Sequence, residues 1–105
     1  MAEQSYGPTG AGSVVLDIGG AMGALALHTS PDLAGAEIEV SRVGLDTPRT
    51  HTAVRERRGA PEVQYVAVFA ALPAGDYTVW DLDGTPTSTV TITGGEVAML
   101  DWRER

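Results

Sequence analysis

Only two histidines occur in the chain, His28 and His51, and they are the first candidates for chemistry. Imidazole nitrogens ligate zinc or iron when they converge with carboxylates at short distances. The candidate carboxylates are Asp17, Asp32 and Asp46. No H-x-H or H-x-x-x-H spacing joins the two histidines, and they fall on separate predicted strands. We therefore expect solvated histidines and no metal or other cofactor, with a metal-dependent protein that uses His28 and His51 as an alternative hypothesis.

Basic side chains are concentrated in one predicted strand, residues 49–57. If that strand is regular, four of them share one face: Arg49, His51, Arg55 and Arg57. Guanidinium groups bind carboxylates and phosphates through paired hydrogen bonds, so this face is a candidate site for an anion or a protein partner. The competing interpretation, which we favour, is structural: the arginines pair with Glu37 and Glu39 across a hairpin.

The tryptophans, Trp80 and Trp102, are predicted mainly as core residues, because large aromatic rings supply much of the apolar surface of a core. If either ring faces outward instead, it marks an interface, where tryptophan is enriched. The predicted strand at residues 63–69 is apolar on both of its faces. That pattern leaves room for a surface through which the protein associates with itself.

Two short motifs look like ligand loops but are better explained as turns. Residues 17–20, Asp-Ile-Gly-Gly, resemble the first phosphate loop of the actin-like sugar kinases and ATPases, but Ala21 replaces the hydroxyl residue. Residues 81–85, Asp-Leu-Asp-Gly-Thr, begin like a calcium loop and continue without further carboxylates. The chain has neither a cysteine nor a Gly-x-Ser-x-Gly elbow. We therefore expect no catalytic residues and no enzymatic activity.

Length and charge restrict the organisation and the partners. A chain of 105 residues corresponds to one domain, and we expect a flexible tail at residues 1–12 followed by a domain at residues 13–105. The net charge of −7 disfavours nucleic acid and anionic membranes as partners. The sequence shows no apolar run of membrane-spanning length and no signal-peptide pattern, which predicts a cytoplasmic location.

Alternating polarity and regular turn signals predict an all-β fold. The expected strands are residues 13–18, 22–29, 36–43, 49–57, 62–70, 77–81, 87–93 and 97–102. The pairs Asp83-Gly84 and Gly94-Gly95 predict hairpins, since glycine reaches positive φ without strain. Seven or eight short strands at this spacing are typical of an antiparallel β-sandwich of the prealbumin-like or immunoglobulin-like type.

The middle hairpin allows a prediction of register. If residues 36–43 pair with residues 49–57 around the turn at 45–48, one register places Glu39 opposite Arg55 and Glu37 opposite Arg57. The same register places Val40 opposite Val54 on the inner face. Opposite charges across two strands contribute roughly 0.2–1 kcal/mol per pair.

The last third of the chain carries a family resemblance. Residues 72–79, Leu-Pro-Ala-Gly-Asp-Tyr-Thr-Val, followed by Thr-Val-Thr-Ile-Thr-Gly-Gly-Glu-Val at 89–97, resemble the closing strands of prealbumin-like, carboxypeptidase-regulatory-like sandwiches. The chain as a whole also resembles small single-domain actinobacterial proteins. The first resemblance implies a sandwich in which the Tyr77 ring is buried while its hydroxyl reaches a backbone group. It also implies an accessory, binding or structural role.

These patterns together favour a non-catalytic binding or assembly module. Its expected partner is a protein or a second copy of the chain, through a sheet face or an edge strand. The alternative is a small protein that depends on a metal or an anion and uses His28 and His51 or the strand at residues 49–57.

Overall fold

The computed structural model describes residues 16–59 and 62–103. Its strands are β1 (Met22–Thr29), β2 (Glu37–Arg42), β3 (Thr50–Arg57), β4 (Gln64–Pro73), β5 (Gly75–Trp80), β6 (Pro86–Ile92) and β7 (Val97–Trp102). A short 3-10 helix at Pro31–Leu33 is the only helix in this part of the chain. The all-β prediction is confirmed. Residues 16–18 are not in a strand, and the predicted tail at 1–12 and the start of the first predicted strand lie outside the described residues.

All seven strands belong to one sheet with the order β6-β5-β2-β3-β4-β1-β7. Five neighbouring pairs are antiparallel, but β1 and β7 are parallel. The expectation of a wholly antiparallel fold is therefore wrong at this edge. The two edge strands, β6 and β7, approach each other, so the sheet curls nearly into a barrel.

The parallel pair arises because the turn at Gly94-Gly95 is not a hairpin. Gly95 N donates to Met22 O at 2.8 Å, and Ala24 N donates to Glu96 O at 3.0 Å, so this turn binds β1. A Cβ on Gly94 would overlap the carbonyl of Gly20. The turn at Asp83-Gly84, in contrast, does join the antiparallel pair β5 and β6.

Strand β3 divides the sheet into two halves. Its first residues pair with β2, and its last four, from Val54 to Arg57, pair with β4. We call β6, β5 and β2 the first half and β4, β1 and β7 the second half. The chain passes directly between the halves at Ala74, where β4 ends and β5 begins. Both halves turn their inner faces towards one apolar cluster.

The predicted register of the β2–β3 hairpin is wrong by four positions. Glu37 pairs with Ala53 and Glu39 pairs with His51, so Arg55 and Arg57 lie beyond β2 and pair with β4. A shift by an even number of residues leaves every side chain on its original face. The alternation of polar and apolar residues therefore could not distinguish the two registers.

The core combines inward side chains from all seven strands. Its buried members are Leu25, Leu27, Ile38, Val40, Val54, Ala67, Phe69, Leu72, Tyr77, Val79, Ile92 and Trp102. The Tyr77 ring is buried, and its hydroxyl donates to Pro73 O at 2.6 Å, as the sequence predicts. Arg42 lies over the same ring at 5.0 Å and donates to Ala74 O at 3.0 Å, which fixes the β4–β5 corner.

Candidate functional site

Arg49 and Trp80, two of the predicted binding residues, contact each other on the outer face of the first half. The Arg49 guanidinium lies 3.8 Å from the centroid of the Trp80 ring and 3.0 Å from Glu39 Oε1. Its Nε donates to Asp46 O at 2.9 Å. The Trp80 residue is only 8% exposed. The guanidinium therefore covers the indole and anchors the turn before β3.

A buried serine completes this cluster. Trp80 Nε1 donates to Ser41 Oγ at 2.9 Å, and the Ser41 hydroxyl donates to Leu45 O at 2.6 Å. These bonds join β5 and β2 to the turn that follows β2. We call Ser41, Arg49 and Trp80, with Glu39, the turn clamp. Trp102 is also buried, in the core, so neither tryptophan offers an exposed ring.

The two histidines do not come together. His51 Nδ1 lies 2.6 Å from Glu37 Oε1 on the exposed surface. His28 lies on β1, opposite Val66 of β4. His51 is four residues before Arg55, or about 13 Å along β3, and β4 separates β3 from β1. Among the described residues no group of three or more potential metal ligands converges.

The two ligand-loop motifs form turns. Asp83 Oδ1 accepts hydrogen bonds from Thr85 N at 3.0 Å and from Thr85 Oγ1 at 2.7 Å. Asp81 Oδ1 accepts one from Leu82 N at 2.7 Å. In the other motif, Gly19 pairs with Met22 in a single bridge, and Asp17 N donates to Ala70 O at 3.2 Å.

Two adjoining clefts of about 310 and 300 Å³, which share His28 and Gln64, form a groove in the second half. The first cleft lies where β1 ends and β4 begins, with Glu62 and Arg103 in its lining, and the second lies on the outer face. The second cleft has an apolar floor. Its other lining residues are Leu16, Ala26, Arg57, Val66, Val68 and Val97.

The register of the second half extends this floor to Met99, which borders the cleft without lining it. Val68 pairs with Ala26, and Ala26 pairs with Met99, so an apolar row crosses β4, β1 and β7. The Met99 residue is 63% exposed and Val97 is 42% exposed. The sequence signal for this surface was the strand at residues 63–69, with its second apolar face.

A second row, which we call the charged row because it begins at Arg55 and ends at Asp101, crosses the same face two residues away from the apolar row. In it Arg55 pairs with Val66, Val66 with His28, and His28 with Asp101. Asp101 accepts hydrogen bonds from Arg103 Nε at 2.8 Å and Arg103 Nη2 at 2.7 Å. These bonds hold the pKa of the Asp101 carboxyl well below its usual range. The carboxylate at the acidic end of the row therefore stays ionised and is paired with Arg103.

Two of the predicted basic residues, Arg55 and Arg57, remain on the outer face of β3. Arg57 lines the apolar cleft, whereas Arg55 is exposed beside Val66. Burial, followed by repulsion from Arg55, lowers the pKa of Arg57. The groove thus has an apolar floor and a cationic flank.

Comparisons with family models, curated proteins and solved structures give no match to this chain. Across residues 16–59 and 62–103, no helix has the length and apolar character that crossing a membrane requires.

Proposed function

We propose that this chain is a non-catalytic binding or assembly module that docks a protein through the groove of the second half. The observation that carries the proposal is the row of Val68, Ala26 and Met99 on an outer face. The side chains on a sheet face that is exposed only to water are usually polar. Exposed apolar patches that are flanked by polar residues are typical of protein interaction sites.

The sandwich architecture is part of this proposal. The division of β3 between β2 and β4 supports it, because each half then has its own hydrogen-bonded ladder. The shared core cluster between the halves also supports it. A prealbumin-like or immunoglobulin-like arrangement would leave the outer face of the second half available to a partner.

The test compares a Met99→Glu variant with a matched control, Leu82→Glu. Both side chains are exposed, at 63% and 50%. Met99 belongs to the apolar row that borders the cleft, whereas Leu82 lies in the β5–β6 turn. Self-association is measured by light scattering over a range of protein concentrations. Docking of other chains is measured by selection from a random-peptide display library. Urea denaturation confirms that both variants are folded.

We expect association, with the chain itself or with selected peptides, that Met99→Glu weakens and Leu82→Glu preserves. A charge placed on a desolvated apolar contact removes binding free energy, whereas a charge on a solvated turn does not. A chain that stays monomeric and enriches no peptide sensitive to Met99→Glu would disprove the function.

A further inference from the structure

We infer that the partner bound in the groove is an acidic peptide segment with apolar side chains next to its carboxylates. This inference rests on the proposed function and specifies the chemistry of the partner. Its basis is the combination of an apolar floor with the two guanidinium groups of Arg55 and Arg57 on one side.

Arg55 is distinguished by its contacts from Arg42, Arg49, Arg58 and Arg103. Three of these form ion pairs with neighbouring acids, and Arg42 binds a backbone carbonyl. The contacts are Arg42 with Ala74 O, Arg49 with Glu39, Arg58 with Glu56, and Arg103 with Asp101. Arg55 has no ion pair within the described residues. A carboxylate supplied from outside would therefore meet a guanidinium that no neighbouring acid neutralises.

The two arginines also reinforce each other. They lie two residues apart on one face of β3, about 6.6 Å along the strand. Their mutual repulsion contributes to the lowered pKa of Arg57. Carboxylates between them would relieve that repulsion, and guanidinium–carboxylate bonds are among the stronger hydrogen bonds in proteins.

The register fixes the spacing that the peptide should have. The apolar row at Val68 lies two residues from the row of Arg55 and four residues from the row of Arg57. These separations correspond to about 7 and 13 Å along the sheet. An extended peptide that lies parallel to the strands would place apolar side chains first and carboxylates two to four residues further on.

The net charge of −7 does not prevent this docking. At physiological ionic strength charges more than about 8 Å apart are largely screened. Glu37, Glu39 and Asp76 lie on the first half, away from the groove, whereas Glu62 lines the first cleft and Asp101 is paired with Arg103. The apolar cleft is lined by Arg57 and, among the described residues, by no acid. The local charge of the arginine flank therefore decides the preference. A nucleic acid would also meet the guanidinium groups, but its sugar–phosphate backbone would not use the apolar floor.

The experiment uses peptides selected from the random-peptide display library on the full chain. Binding of the resynthesised peptides is measured by fluorescence anisotropy. The test variant is Arg55→Gln with Arg57→Gln. The control is Thr87→Glu with Thr89→Glu, two exposed positions on β6. Each pair of substitutions makes the chain more negative by the same amount, so a difference between them reports the location of the charge.

We expect the enriched peptides to carry acidic residues two to four positions after apolar ones. The arginine variant should bind them at least about tenfold more weakly, and the control about as well as the unmodified chain. Peptides that require Met99 but bind the arginine variant normally would overturn the inference and leave the proposed function intact. If no selected peptide depends on Met99, the proposed docking site is disproved, and the inference of an acidic partner fails with it.

Three further results would assign the groove to another occupant and overturn the inference. Equal binding of a single-stranded DNA oligonucleotide would identify a general anion site. Concentration-dependent dimers that Met99→Glu dissolves would identify a second copy. Peptide binding that appears only after deletion of residues 1–12 would identify a segment of the chain itself as the occupant.

Discussion

The hydrogen bond between Trp80 and Ser41 allows a quantitative test of the turn clamp. Both residues are buried, and Trp80 Nε1 donates to Ser41 Oγ at 2.9 Å. Ser41→Ala leaves the indole N–H without its acceptor, and an unsatisfied buried donor costs about 1–3 kcal/mol. The carbonyl of Leu45 loses its partner as well, but Leu45 is exposed and water replaces that bond.

The partner substitution, Trp80→Phe, removes the same bond differently. It keeps an aromatic ring beneath Arg49 and leaves the Ser41 hydroxyl bonded to Leu45 O. We expect Ser41→Ala to destabilise the native protein by about 2 kcal/mol, which lowers Tm by roughly 8–15 °C in a domain of this size. In the Trp80→Phe background, Ser41→Ala should cost only about 0.5 kcal/mol, because no indole N–H is left without an acceptor.

The assay is a double-mutant cycle measured by urea denaturation and far-UV circular dichroism. Trp102 remains in all four proteins as a fluorescent probe of the core. The expected coupling is about 1–2 kcal/mol, well above the 0.3–0.5 kcal/mol scatter of independent sites. Additive free energies within that scatter would refute the bond as a stabilising contact. The clamp would then depend on the Arg49 contact alone.

Two further predictions concern Tyr77 at the β4–β5 corner and Gly23 of β1, which closely approaches the end of β6. Tyr77→Phe should cost about 1 kcal/mol through loss of the bond to Pro73 O. Burial raises the pKa of Tyr77, so its contribution is complete below the unfolded value of about 10 and is lost as pH rises through the folded pKa. Alkaline denaturation of the phenylalanine variant should lack that decline, and an unchanged decline would contradict the assignment. Gly23→Ala should cost about 1–3 kcal/mol, because its Cβ would overlap the backbone carbonyl oxygen of Thr93 and lie 2.8 Å from Ile92 Cγ2. Gly59→Ala, where the added Cβ meets nothing within 4 Å, is the control in the same urea titration, and equal costs would contradict the close approach.

Strand positions followed from the sequence better than strand pairing did. The bounds of β1 and β7, at Met22–Thr29 and Val97–Trp102, coincide with the predicted ranges. Alternating polarity and flanking turn residues are local signals, so one segment contains them. The pairing of β7 with β1 depends on Gly94, where glycine permits close approach to Gly20 rather than a hairpin. A single sequence does not separate these two uses of glycine.

The candidate site was likewise predicted only as far as local sequence signals allow. The sequence identified Arg55 and Arg57 as basic residues on one face, and it identified the second apolar face of the strand that became β4. It could not bring Met99 and Ala26 into one row with Val68, because that row requires the parallel β1–β7 pair. The predicted acidic partners of the arginines were also misplaced, since registers that differ by an even number of residues preserve the same alternation.

The alternation within β4 separates the proposed docking surface from the core. Ala67 and Phe69 point into the core cluster, whereas Val66 and Val68 line the groove. A partner would therefore gain apolar contact area without rearranging the core. Substitutions at Met99 or Arg55, which are exposed and outside the core cluster, should change binding more than the free energy of unfolding. Substitutions in the turn clamp or at Tyr77 should instead change the free energy of unfolding more than binding, because the contacts of these residues lie at the junctions of strands.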